Sequence, residues 1–182
     1  MKKKWYGEER RLKMVSLLKE NEEAIKGGAL ADLLGVSRQV IVQDVTLLKA
    51  HNYPITATSQ GYLWTEEDLK TSSFTKVVAC IHTPERTEEE LNMLVDNGIR
   101  VKDVLVEHPV YGDLRASIGV KNRKQVQQFL TRVKETQASY LSELTGGVHL
   151  HTLEADSKED IDDGVKALKE AGFLVEDKQD MK

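Results

Sequence analysis

Residues 149–151 read His149-Leu150-His151. On a β-strand, side chains two positions apart share a face, so these imidazoles project together and offer two nitrogen donors to one ion. Gly146-Gly147 just before them keeps the backbone clear for a close approach. His82 ends another apolar run, and Glu90 follows eight residues later, about one turn into the next helix. If the two strands are neighbours, His82, Glu90, His149 and His151 meet as three imidazoles and one carboxylate. That donor set suits Zn²⁺, Ni²⁺ or Fe²⁺ and not Ca²⁺ or Mg²⁺. An extra position is then open to a water or a ligand atom.

Blander roles compete at each position. A histidine at a strand end often only holds a turn. Glu90 also stands where a capping box with Thr87 would put it, and Glu88 and Glu89 are rival carboxylates. His108, in Glu107-His108-Pro109, lines the same pocket or holds its turn. Cys80 reads as a small buried residue of its strand. As the single cysteine it excludes an intramolecular disulfide and a Cys-rich zinc module. An open metal position can activate water, but no separate general base stands out, so the reading is of a non-enzyme.

A second chemistry lies near the front. Residues 29–34 form a short helical pattern, Gly35 ends it, and Ser37 can cap a helix over 38–51. This spacing predicts a helix-turn-helix, whose second helix enters the major groove of double-stranded DNA. Val36, Ile41, Val45 and Leu48 should point inward. That leaves Ser37, Arg38, Gln39, Val42 and Gln43 outside to meet base edges, where Arg matches guanine, Gln adenine and Val a thymine methyl. Lys2, Lys3, Lys4, Arg10, Arg11 and Lys13 add salt-dependent attraction to phosphates. Asp44 is expected to be structural, and His51 to sit at the helix C-terminus as a favourable charge. A three-helix bundle for protein contacts is the duller alternative.

The elements that must position these groups fall into two segments. Residues 8–19, with Leu12, Val15, Leu17 and Leu18, predict an amphipathic first helix, and Gly27-Gly28 a break before the second. Residues 53–58 and 62–64, around Ser59-Gln60-Gly61, predict a hairpin that would act as the wing. The expected domains are 1–65, a polar linker over 66–76, and 77–182. The rear predicts strands at 77–82, 99–107, 114–120, 148–153 and 173–175, with helices at 87–97, 122–137 and 157–171. Its order begins with the split β-α-β pattern of ferredoxin-like sandwiches. The fold class is therefore α+β, a winged helix-turn-helix followed by a ferredoxin-like α/β sandwich.

Charge supports the division. The 182 residues carry a formal net charge of −4. Up to Thr65 there are ten basic and seven acidic residues, and beyond it sixteen and twenty-three. A basic front and an acidic rear imply different partners. A front balance of only +3 makes a homodimer the expected DNA-binding form. No apolar run approaches the ~18 residues of a membrane span. The basic start is followed by no apolar stretch of a secretory signal. A cytoplasmic protein is expected.

At these residues the sequence resembles a known family. Val36-Ser37-Arg38-Gln39-Val40-Ile41-Val42-Gln43-Asp44 is similar to the winged-helix front of the nicotinate-responsive repressors of the NiaR type. Val106-Glu107-His108-Pro109-Val110-Tyr111-Gly112 and Gly146-Gly147-Val148-His149-Leu150-His151 resemble the two hallmark segments of their C-terminal 3H domain. The resemblance implies a dimeric repressor of NAD synthesis or niacin uptake genes, with nicotinic acid as co-repressor. It places one divalent transition metal, nickel, zinc or iron, on His82, Glu90, His149 and His151. Nicotinate offers a pyridine nitrogen and a carboxylate, either of which suits the open metal position. His108, Tyr111 and Arg115 are the expected ligand neighbours. The alternatives are a winged-helix sensor of another small carboxylate or of the metal itself, and a metal-dependent enzyme of nicotinate metabolism.

Overall fold

The structure is a computed structural model that describes residues 5–65 and 73–175. Lys2, Lys3, Lys4 and residues 66–72 of the expected linker lie outside the described residues. The chain divides into two compact units, Met1–Leu69 and Lys70–Lys182.

In the front unit three helices, α1 (Gly7–Lys19), α2 (Gly27–Leu34) and α3 (Arg38–Ala50), precede a hairpin of β1 (Ile55–Thr58) and β2 (Gly61–Trp64). Met14, Val15, Leu18, Leu30, Leu34, Ile41, Val45 and Leu48 form its core. Leu12, expected inside, is exposed, and Met14 takes the inward place. Gly27 and Gly28 do not break the pattern; they form the first turn of α2. First-turn N–H groups lack helical partners in any helix, so glycines there forfeit little hydrogen bonding. Gly35 closes α2 at φ +66°, a left-handed conformation that other residues resist. Ser37 then caps α3, its hydroxyl accepting from the Val40 N–H at 3.4 Å.

The rear unit runs β3 (Phe74–Ile81), α4 (Thr87–Asp96), β4 (Arg100–His108), β5 (Gly112–Val120), α5 (Arg123–Thr136), β6 (Val148–Ala155) and α6 (Lys158–Glu170). Short 3-10 turns at Pro84–Arg86 and Leu141–Thr145 were not foreseen. β3 begins at Phe74, inside the expected linker, because it pairs along its length with β6. The expected strand at 173–175 reduces to one bridge, Cys80 to Leu174, on the outer edge of β3.

The sheet order is β3-β6-β4-β5, with every neighbouring pair antiparallel. β3 and β4 are thus parallel members of a split β-α-β unit with β6 between them. A ferredoxin-like sheet gives that central place to its third strand. Here the β4–β5 hairpin lies at the edge, and the fourth strand takes it. This order brings the HxH strand directly between β3 and β4. Helical residues Leu91, Leu94, Val126, Ile161 and Leu168 pack on the sheet residues Val78, Val101, Ile118, Val120 and Leu153 to form the core.

Candidate metal and ligand centre and the DNA-reading helix

The expected DNA-reading helix, α3, carries its candidate contact residues outward. Ser37, Arg38, Gln39, Val42 and Gln43 are all exposed, while Ile41, Val45 and Leu48 are buried and Val36 is half-buried. Asp44 is buried on the inner side and held by Arg10, with Nε to Oδ2 at 2.6 Å and Nη2 to Oδ1 at 3.1 Å. Arg11 approaches the same carboxylate at 3.5 Å. The structural role expected for Asp44 is therefore seen. Arg10, expected to attract phosphates, is instead committed to Asp44 beneath the helix. His51 occupies the C-cap of α3.

In the rear unit the sheet brings all four candidate donors together. His149 and His151 share the helix-covered face of β6 and are buried. Cys80 lies opposite His149 in the ladder, and His82 follows just past the end of β3. Glu90 comes down from α4 and is completely buried. Its Oε2 lies 2.8 Å from His82 Nε2 and 3.3 Å from His151 Nε2, and its Oε1 lies 3.4 Å from His149 Nε2. The rings of His149 stand edge-on to those of His82 and His151, with centroids 4.8 and 4.7 Å apart.

The far side of each imidazole is fixed by the main chain. His82 Nδ1 meets the Thr83 carbonyl at 2.8 Å, His149 Nδ1 the Gly147 carbonyl at 2.8 Å, and His151 Nδ1 the Asp103 carbonyl at 2.7 Å. A carbonyl only accepts, so each Nδ1 carries the proton and donates it. In the neutral ring, each Nε2 lone pair then faces Glu90. This is the tautomer and the outer hydrogen bonding of a metal-ligating histidine. The Asp103 carbonyl sits at a β-bulge between Val101 and Asp103, which re-aims the strand toward His151. Gly147 explains the glycine pair. At φ +97°, a Cβ there would fall 2.3 Å from the His82 carbonyl oxygen. The group that approaches this backbone is therefore the neighbouring main chain.

The capping-box role of Glu90 is overturned. The 3-10 turn at Pro84–Arg86 leads straight into α4, so Thr87 is already helical and makes no cap. Its Oγ1 is buried without a hydrogen-bond partner, as is Glu90 Oε1. The rival carboxylates point elsewhere, Glu89 to Arg86 and Glu88 to Gln127.

The electrostatics follow from burial and charge. Burial opposes ionisation of Glu90, but the charge of His151 and the close ring nitrogens of His149, His151 and His82 hold it well below the usual carboxylate range. Burial likewise opposes charge on His82 and His151, and Glu90 overrides it and raises both. Burial, followed by Glu90, pushes the Cys80 thiol up. Cys80, Glu90 and His149 each place one ligand atom within 4.8 Å of the others.

A cavity of about 270 Å³ opens beside the cluster, with His82, Glu90, His149 and His151 in its lining. Phe129, Val104 and Ile118 supply apolar wall, and Thr87, Tyr140 and Ser142 are among the hydroxyl residues that line it. Among the described residues no lysine or arginine lines it. His108, Tyr111 and Arg115 do not line it either. His108 Nδ1 accepts from the Val110 and Tyr111 N–H groups, the turn-holding role weighed for it. Tyr111 is 74% exposed at the hairpin tip. Arg115 donates to Asp103 at 2.6 Å. The 138–142 wall went unassigned because it has no periodicity and no motif of its own.

Comparison with known proteins completes the description. A 3H domain model matches residues 75–177, and an HTH domain model matches residues 10–63. Over 175 residues the chain is 51% identical to the transcription repressor NadR of Bacillus subtilis (strain 168), covering 96% of this chain and 97% of that protein. Over 170 residues it is 41% identical to the probable transcription repressor NiaR of Thermotoga maritima, covering 93% and 95%.

Proposed function

Because this chain belongs to the family of transcription repressors that join a helix-turn-helix domain to a 3H domain, we propose that it represses genes of NAD synthesis or niacin uptake in answer to nicotinic acid. A divalent transition metal in the rear unit would make that answer possible. The observation that carries the proposal is a buried carboxylate encircled by three Nε2 atoms, one of its oxygens unpartnered. Satisfied buried polar groups are the rule, and an orphan marks an absent partner.

The residues fit such an ion. His82, Glu90, His149 and His151 would hold it, and it would be nickel, zinc or iron, the ions that imidazole with a carboxylate selects. When bound, it supplies a Lewis-acid position for a pyridine nitrogen or a carboxylate oxygen. The chain's own residues do the rest. Main-chain carbonyls fix the three ring tautomers, so the site is organised before a ligand arrives. Phe129, Val104 and Ile118 shed water from a flat ring, and Tyr140 and Ser142 offer hydroxyls to its polar end. The cavity takes a one-ring acid and is far too small for a dinucleotide. Among the described residues no lysine or arginine lines it, so without the ion a bare anion meets only the imidazoles there. The roles expected of His108, Tyr111 and Arg115 pass to these wall residues.

Ser37, Arg38, Gln39, Val42 and Gln43 would read operator DNA in the cytoplasm, with two copies of the chain on two half-sites. The ligand must prefer the DNA-competent form of the dimer, or it shifts nothing. A coupling of about 1–3 kcal/mol gives a ~5–150-fold response. The test is fluorescence anisotropy on promoter DNA with the metal-loaded chain. Nicotinate should tighten binding in the wild type and not in the His149→Ala, His151→Ala double variant. Equal tightening by nicotinamide or an unrelated small carboxylate would favour a sensor of another ligand. No ligand effect in the loaded wild type would overturn the reading.

A further inference from the structure

Behind the imidazoles lies a side chain expected only to fill space. Cys80 is fully buried on β3, two residues before His82 and opposite His149 in the ladder. It belongs to the apolar core with Leu91 and Leu94. Core packing accounts for its burial but not for its sulfur standing among donors. Its Sγ, a Glu90 carboxylate oxygen and a His149 ring nitrogen all lie within 4.8 Å of one another. A second, independent observation points to a ligand at the same place. Glu90 is completely buried, and its Oε1, 3.4 Å from His149 Nε2, has no hydrogen-bond partner. Its sister Oε2 is engaged by His82 and His151. The carboxylate thus divides the cluster. Two imidazoles stand at one oxygen, and at the other stands His149, the residue that pairs with Cys80.

We propose that Cys80 is a further donor of this centre, a thiolate that joins Glu90 and His149 around a thiophilic divalent ion and so sets which metal the protein prefers. Imidazole and carboxylate donors alone discriminate weakly between nickel, zinc and iron, whereas a thiolate favours softer ions. On coordination a metal–sulfur bond forms, the S–H bond breaks, and the proton leaves to solvent. The inference rests on the metal reading above and asks more of it.

Co²⁺ is the probe. The full chain is stripped with chelator, kept reduced and titrated with Co²⁺ while the absorption spectrum is followed. Thiolate ligation gives an intense near-ultraviolet charge-transfer band; imidazole and carboxylate give only weak visible bands. Because the chain has a single cysteine, any such band belongs to Cys80. The expected wild-type spectrum shows both, saturating together at one ion per chain. Cys80→Ser should lose the near-ultraviolet band and keep the visible ones. Competition between Cd²⁺ and Ni²⁺ should shift toward Ni²⁺ by about tenfold or more in that variant. If the serine variant does not fold, Cys80→Ala serves in its place. Visible bands without the near-ultraviolet band in the wild type would overturn this inference and leave the four-donor metal reading standing. A near-ultraviolet band that survives substitution of Cys80 would also overturn it. No cobalt absorption at all would overturn both.

Discussion

The two units each bury a carboxylate, and they treat it in opposite ways. Asp44 in the front unit is met by Arg10 through both oxygens, with Arg11 close by, so neither oxygen is without a partner. Glu90 in the rear unit faces three imidazoles whose outer nitrogens are already spent on carbonyls, and one of its oxygens is unpartnered. The first carboxylate is a fastener beneath a helix that does its work on the outside. The second is part of a receptacle. Removing the first should damage stability; removing the partners of the second should damage binding and spare the fold.

The largest expected effect is on metal affinity. Zinc-type sites hold their ion with about 10–16 kcal/mol, so losing two of four donors in the His149→Ala, His151→Ala variant should weaken binding by on the order of a thousandfold or more. A competitive chelator titration measures this, and a loss under about tenfold would break the contrast. Next is the fastener. Asp44→Ala leaves the half-buried Arg10 without its carboxylate, which should cost about 3 kcal/mol, the low end for a buried pair. Urea denaturation followed by tryptophan fluorescence reads it cleanly, because both tryptophans, Trp5 and Trp64, lie in the front unit.

A smaller effect is expected at the DNA face. Arg38→Ala and Gln39→Ala should each lose about 1–3 kcal/mol of operator binding without moving the urea midpoint. Titration adds a further contrast in chelator-stripped protein. His82 and His151 are raised above 6.5 by Glu90, against their burial. Their contribution is complete below pH 6.5 and is lost as the pH rises through the raised values. Glu90, lowered below 4.5, keeps its share until acid reaches its lowered value. Calorimetry should therefore find the stripped protein melting lower in mild alkali than at about pH 6, by about 2–4 °C for each kcal/mol lost. A midpoint that rises with pH would contradict the pairing. The smallest change is Ser37→Ala, where a single 3.4 Å cap bond predicts a loss near the low end of about 0.5–2 kcal/mol.

Much of this was legible in the residues. Period-two placement of His149 and His151 announced a shared face, and the Ser37 cap with Gly35 marked the turn between helices. Those features are local, and local rules govern them. The neighbours of the candidate metal centre were less legible because they depend on register and strand order. Arg115 stands one hairpin away from His108 in sequence, yet the pleat sends it to Asp103 on the other side of the sheet. Besides residues of α4, β4 and β5, the cavity wall comes from α5 and the 138–142 segment, which only the tertiary fold brings to Glu90. Arg10 looked like a free cation because its partner is 34 positions away. Cys80 read as a small buried residue and is one, but its closeness to Glu90 and His149 was not legible, because they stand on a helix and another strand.

The central claim is that a metal on His82, Glu90, His149 and His151 creates the nicotinate site. Calorimetric titration of nicotinate into three samples of the full chain tests it most directly: metal-loaded, chelator-stripped, and stripped then reloaded. Saturable one-to-one binding in the first and third, with none in the second, is the predicted result. Equal affinity for nicotinate in the stripped protein would contradict the account.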